Sequence, residues 1–280
     1  MASVALVEQG YLDEAESYVR QLLPRYHPFA ADRVVADSKE DERRKQEYSS
    51  LSHFLGAMLF DRQRYDEARK YYELSLGLYP NNRGIRRELL RTLMRMEMFE
   101  PAAEQFEVLL AGHRDDPENL TELGRLRVKL GQPKEAIDLF EESIALKPNV
   151  ELQFELANLL REDRLYGRAI EHYLAVMSQV SSPTAANNLA WLLATASDET
   201  VRDGAEAVRL ARHACEATSR KSAKVLGTLA AAHAELGDFD AAMRITREAI
   251  ERAQEANELE AITDLQQRLD QYANKQPIRD

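Results

Sequence analysis

Small apolar residues return along this chain at a nearly constant interval, and each is followed by a second at a fixed distance. The first of each pair stands at Gly56, Leu90, Gly124, Ala157, Ala190 and Ala230, with spacings of 34, 34, 33, 33 and 40 residues. The second stands at Ala68, Ala102, Ala136, Ala169, Ala207 and Ala242, and in five of six pairs it follows the first by 12 residues. After three intervening residues an aromatic side chain comes next, at Tyr72, Phe106, Phe140 and Tyr173. Pro80 and Pro148 each lie 12 residues after their alanine. A small residue lets a partner helix approach closely, and a proline stops one helix and opens the next. The pattern therefore predicts pairs of packed helices, repeated along the chain.

One stretch carries the pattern most fully: Leu123-Gly124, then Gly131-Gln132-Pro133-Lys134-Glu135-Ala136, then Phe140 and Pro148. It resembles the tetratricopeptide repeat motif, and the resemblance covers nearly the whole chain. It implies an all-α fold, a right-handed α-solenoid of helix-turn-helix repeats. The expected repeats are 49–82, 83–116, 117–149, 150–182, 183–222 and 223–256 in one solenoid.

The departures from the period shape further expectations. Leu90 stands where a small residue is usual, so its helices should sit further apart. Ala211 and Thr246 replace the aromatic. Ala190 and Ala207 are 17 apart, which predicts a longer turn around 195–203, with Ser197 or Asp203 capping the next helix. Near the start, Gly10-Tyr11-Leu12-Asp13-Glu14-Ala15 and Pro28 read as a partial repeat over 1–28. A charged extension at 29–48 includes the run from Ser38 to Glu47, which reads as a lengthened first helix. Near the other end, Leu259, Ile262, Leu265, Leu269 and Tyr272 form an apolar stripe, predicting a capping helix over 257–273 with a short tail at 274–280. Asp264, Gln267, Arg268 and Gln271 fall on the opposite, solvent side of that stripe.

Composition narrows the functional classes. Hydrophobic residues make up 44%, enough for a continuous core. The formal net charge is −11, which argues against a general nucleic-acid binder because phosphates would be repelled. No run approaches the ~20 apolar residues of a membrane helix, and Glu8 breaks the first apolar stretch too early for a secretory signal. The expected location is cytoplasmic. The single cysteine, Cys215, allows neither an internal disulfide nor a cysteine-based zinc site. His27, His53, His113, His172, His213 and His233 are scattered, and phosphate-loop and hydrolase motifs are absent. No catalytic residue, cofactor site or metal site is expected, and Cys215 reads as a packing residue.

The resemblance also implies a binding surface, because the first helix of each repeat lines a concave groove. Transferring the family's groove positions to this sequence gives two groups. The first is basic: Arg87, Arg91 and Arg95, one helical face at i, i+4 and i+8, with Arg125, Lys129 and Arg161 from later repeats. Arginine forks suit carboxylates, although Glu88, Glu122 and Glu155 stand nearby and the face could simply be solvated. The second is polar and aromatic: Phe154, Asn158, Asn187, Asn188, Trp191 and Lys224. Asparagine can both donate to and accept from an extended peptide. Trp191 has two readings: a contact residue in the groove, or a side chain buried under the 195–203 turn. Asn158, Asn188 and Lys224 match three of five positions of the carboxylate clamp of chaperone-binding relatives. Phe154 and Thr228 stand at the other two, where that clamp has bases, so a true clamp is not implied.

The expected function is a non-enzymatic scaffold that binds a protein or peptide, acidic in character, in this groove. The alternative is an arm of a larger protein, serving assembly or self-association.

Overall fold

The computed structural model describes residues 12–22, 39–112 and 114–280. The fold is an all-α solenoid of helix-turn-helix repeats, and the described residues form fourteen helices and no strand. They group into two compact units, one up to Gln132 and one from Pro133 onward.

The first unit contains α1 (Leu12–Leu22), α2 (Lys39–Asp61), α3 (Tyr65–Leu78), α4 (Arg83–Arg95), α5 (Phe99–Gly112) and α6 (Pro117–Lys129). Each of these packs on the next. Leu55 and Leu59 of α2 and Tyr72 of α3 are fully buried at this seam. Burial of each such leucine contributes roughly 1.5–3 kcal/mol. Gly56 is required here: a Cβ at this position would stand 2.8 Å from the Tyr72 ring. Leu90 is buried at the equivalent place on α4. The 23-residue α2 takes in residues 39–47 of the charged run. On α1, Glu16 lies within 3.0 Å of Arg20, Arg62 and Arg64, so a nearly buried carboxylate is held by three guanidinium groups. Gly10, Tyr11 and Pro28 of the partial repeat, and the side chain of Ala15, lie outside the described residues, as do His27 and His113.

The second unit contains α7 (Pro133–Leu146), α8 (Val150–Glu162), α9 (Tyr166–Gln179), α10 (Pro183–Thr195), α11 (Gly204–Ala217), α12 (Ala223–Glu235), α13 (Phe239–Glu255) and α14 (Leu259–Ala273). Paired helices pack within each repeat, and α8, α10, α12 and α14 also touch in succession. Ala157, Ala190 and Ala230 are buried along this inner row, and Phe140 and Tyr173 fill the core beside them. The five-residue excess forms the 196–203 turn, closed by the Asp203 N–H on the Leu193 carbonyl, and Asp203 caps α11. Asn82, Asp116, Asn149, Ser182, Ser222 and Asp238 cap other helices in the same way, each stabilising its helix by about 1 kcal/mol.

The link between helices closes repeatedly with one left-handed residue. Gln63, Glu97, Gly131, Arg164, Gly237, Asn257 and Lys275 all have φ between 56° and 79°. In each case the following N–H reaches back to a carbonyl five residues before it, for example Arg64 to Leu59 and Leu165 to Leu160.

Two details of the last helix differ from the sequence reading. Leu259 is not part of the buried stripe; it is 76% exposed, while Leu265 and Tyr272 carry the packing. Arg268 does not point to bulk solvent either. It is half-buried and lies over the Trp191 ring of α10, because α14 packs in line with the inner row and turns one polar edge onto it.

Candidate peptide-binding groove

The inner row of the second unit encloses a cavity of ≈ 360 Å³ between α10, α12 and α14. Asn187, Asn188 and Trp191 come from α10, Lys224 and Thr228 from α12, and Asp264 and Arg268 from α14, with Arg161 of α8 at one side. Regular spacing explains the convergence: positions four apart on one helix share a face, so Asn187 and Trp191 project together, as do Lys224 and Thr228.

A chain of polar side chains supports the floor. The fully buried Tyr173 donates its hydroxyl hydrogen to Asn158 Oδ1 at 2.6 Å. The same oxygen accepts from Asn188 Nδ2 at 2.8 Å. Asn188 Oδ1 is in turn reached by Asn187 Nδ2, at a long 3.5 Å. Phe154 meets the Tyr173 ring edge-on at 6.1 Å. Burial pushes the Tyr173 hydroxyl pKa up, so it remains a proton donor to this chain. Asn158 and Phe154, which the sequence places in the groove as contacts, thus brace Asn188 from behind.

Asn187 is the unusual member. It is 4% exposed, and its Oδ1 has no hydrogen-bond partner among the described residues. A buried acceptor left unpaired costs about 1–3 kcal/mol, which a ligand N–H would recover.

Trp191 lines the cavity. Its ring packs partly on the core, under Arg268 at 4.5 Å, and its Nε1 donates to Asp280 Oδ2 at 2.7 Å. Arg268 also pairs with Asp264 at 2.7 Å. Lys224 is exposed, with no acidic partner among the described residues. Arg161 stands 3.3 Å from Glu162 and 3.9 Å from Asp280.

The first unit holds the other predicted cations. Arg87, Arg91 and Arg95 are exposed along α4, and Arg125 and Lys129 along α6. Arg87 lies 3.8 Å from Asp116. Arg91 lies over the Phe60 ring at 4.8 Å and 3.9 Å from Glu88. Arg125 pairs with Glu122 at 2.6 Å, and Lys129 lies over the Phe99 ring at 4.6 Å. Arg95 has no acidic partner among the described residues. Arg161 belongs to the second unit's site.

The tetratricopeptide repeat family profile matches residues 59–125, 121–186 and 222–260. The chain belongs to the tetratricopeptide repeat family. A tetratricopeptide repeat protein from Parabacteroides merdae superposes with a TM-score of 0.49 at 17% identity, over 97% of this chain and 96% of that one. MamA from Desulfovibrio magneticus RS-1 superposes with a TM-score of 0.45 at 18% identity, over 65% of this chain and 94% of that one. Human protein O-mannosyl-transferase TMTC1 is 28% identical over 124 residues, which are 42% of this chain and 14% of that protein's length.

Asp264 and Arg268, which line the cavity, carry no motif that marks them for it. Thr195 and Glu235, which contact Asp280 and Arg279, carry none either. Residues 278–280 read as a tail, although Ile278, an apolar residue after Pro277 in a polar stretch, was a signal that the segment packs. Chemistry of another kind finds little support. Cys215 is buried, and that burial pushes its thiol up to about 11, which leaves little thiolate for nucleophilic attack. Among the described residues no group of His, Cys, Asp or Glu could hold a metal ion, and no helix is long and apolar enough to cross a membrane.

Proposed function

We propose that this protein is a non-enzymatic protein-interaction scaffold, and that its second unit takes an extended peptide bearing an acidic side chain. The peptide lies in the groove of Asn187, Asn188, Trp191, Lys224 and Arg268. The first unit's Arg87, Arg91, Arg95, Arg125 and Lys129 offer the same class of partner a second, looser contact. One observation carries this reading: the groove wall already holds a carboxylate, that of Asp280, through the Trp191 Nε1–H, with Thr195 Oγ1 beside it at 3.3 Å. Lys224 and the unpaired Asn187 Oδ1 supply a positive charge and a peptide N–H acceptor further in. Membership of a repeat family that commonly binds proteins is in keeping with it.

The test is titration of the full chain with a labelled peptide rich in Asp and Glu, and with its Asn/Gln counterpart. The acidic peptide should bind more tightly, and binding should weaken with salt because screening acts within ~8 Å at physiological ionic strength. Equal affinity for the two peptides would sink the acidic reading.

A second reading has one observation behind it. The human relative carries its matching 124 residues as 14% of a much longer protein. Repeats of this kind can therefore serve as an arm of a larger assembly. Analytical ultracentrifugation of wild type and Lys224→Glu separates the two: self-association that ignores Lys224 favours the arm.

A further inference from the structure

The segment after α14 turns back at Lys275 and Pro277 and lies against the ends of α10 and α12. Its last three residues fill three different niches. Ile278 packs partly buried on the hydrophobic core. Arg279 Nη1 lies 2.7 Å from Glu235 Oε2, a charge contact without aligned hydrogen-bond geometry, and 3.4 Å from the Ala194 carbonyl. Asp280 pairs along the backbone, its N–H donating to the Thr195 carbonyl at 2.9 Å. Its Oδ2 accepts from Trp191 Nε1 at 2.7 Å and lies 3.3 Å from Thr195 Oγ1 and 3.9 Å from Arg161.

Each niche has support of its own. Glu235 also binds Arg202 Nε at 2.9 Å, and Arg202 is tied to the Ala196 carbonyl. Trp191 is held beneath Arg268. Thr195 donates to the Trp191 carbonyl as well. The segment is held from one side only: the side chains of Arg279 and Asp280 remain 36% and 39% exposed. None of residues 278–280 pairs with Asn187 Oδ1, which stays without a hydrogen-bond partner among the described residues.

We propose that residues 278–280 act as a built-in stand-in for the partner, and that the partner presents the same succession in extended form: an aliphatic residue, a base, then an acid. This rests on the groove reading above and gives the acidic partner a sequence. The incoming peptide displaces Ile278, Arg279 and Asp280 from their niches. Residues adjoining its acid pass Trp191 and donate a backbone N–H to Asn187 Oδ1, a bond the stand-in never makes. That extra bond favours exchange over a tethered competitor, whose effective concentration is on the order of millimolar.

The experiment uses the full chain and its Arg279→Ala/Asp280→Ala variant. The probes are two labelled, amidated peptides: a copy of residues 274–280 and one with the Ile-Arg-Asp order reversed. The copy should bind the variant at least ~10-fold more tightly than wild type, because the tethered competitor is disabled. The reversed peptide should bind the variant at least ~10-fold more weakly than the copy. Trp191 is the chain's one tryptophan, so its indole N–H resonance reports directly. It should move in the variant and return toward its wild-type position when the copy is added. Equal affinity of the copy for wild type and variant overturns the proposal, and so does equal binding of the two peptides. An indole resonance that the copy leaves in place also overturns it. Preference for acidic peptides in the earlier titration stands or falls separately, so the two failures are distinguishable.

Discussion

The two units carry cationic side chains in contrasting ways. On α4 and α6 of the first, Arg87, Arg91, Arg125 and Lys129 each have an acid or an aromatic ring of the same unit nearby. They form an exposed face rather than an enclosed site, and exposed pairs of this sort are worth only ~0.2–1 kcal/mol. In the second unit, Lys224 and Arg268 stand with asparagines and an indole around a cavity, backed by the Tyr173–Asn158–Asn188 chain. Charges at regular spacing make a face. Charges with a braced polar floor and an unpaired buried acceptor make a candidate site.

The contrast can be pressed at four levels, beginning with packing. Gly56→Ala in the first unit should destabilise by about 1–3 kcal/mol, because the new methyl meets a fully buried tyrosine ring. Gly227→Ala in the second meets the tip of Leu265 at 3.2 Å, which need give by only a few tenths of an ångström, and the helix gains about 1 kcal/mol of propensity. It should be near neutral, and paired thermal melts decide the difference.

Binding comes next. Lys224→Glu should weaken an acidic peptide by about tenfold, about 1.4 kcal/mol, without moving the melting temperature. A smaller effect is expected from Arg91→Glu/Arg95→Glu: a loss of a few fold, mainly in association rate and erased by high salt. Stopped-flow titration at two salt concentrations measures both, and a larger loss from the α4 pair would invert the comparison.

The smallest effect concerns His233 in α12, where burial dominates over Asp238 at 3.4 Å and lowers its pKa. The folded state then keeps it neutral while the unfolded chain takes a proton below about 6.5. Stability contributed by the neutral form is present above that value and falls with decreasing pH. His233→Gln should therefore shrink the drop in melting temperature between pH 7 and pH 5 by a small amount. An unchanged drop would count against it.

Much of the fold was legible because its determinants are local and periodic. The paired small residues, the aromatic that follows and the cap residues such as Asp203 each act within one repeat. Leu259 misled because helical spacing alone cannot say where the neighbour ends. Asn187, Asn188, Trp191 and Lys224, placed together by sequence position, line one cavity. Asn158 sits where a contact residue belongs, yet its oxygen is committed to Tyr173 and Asn188. Arg268, Glu235 and Asp280 join the site only through contacts over 33 to 89 residues of chain, which no local spacing encodes.

The left-handed turn residues have a consequence for engineering. Evolution placed glycine at this position in two turns, Gly131 and Gly237, and side-chain-bearing residues at Gln63, Glu97 and Arg164. The backbone demand is the same in each, and a Cβ there is disfavoured by roughly 1 kcal/mol. Glycine at Gln63, Glu97 and Arg164 trades that penalty against a looser unfolded chain, and each exchange should raise stability by a few tenths of a kcal/mol. Because the three lie in separate turns, their gains should add. The repeat architecture thus contains its own means of thermostabilisation, at turn positions that do not line the cavity.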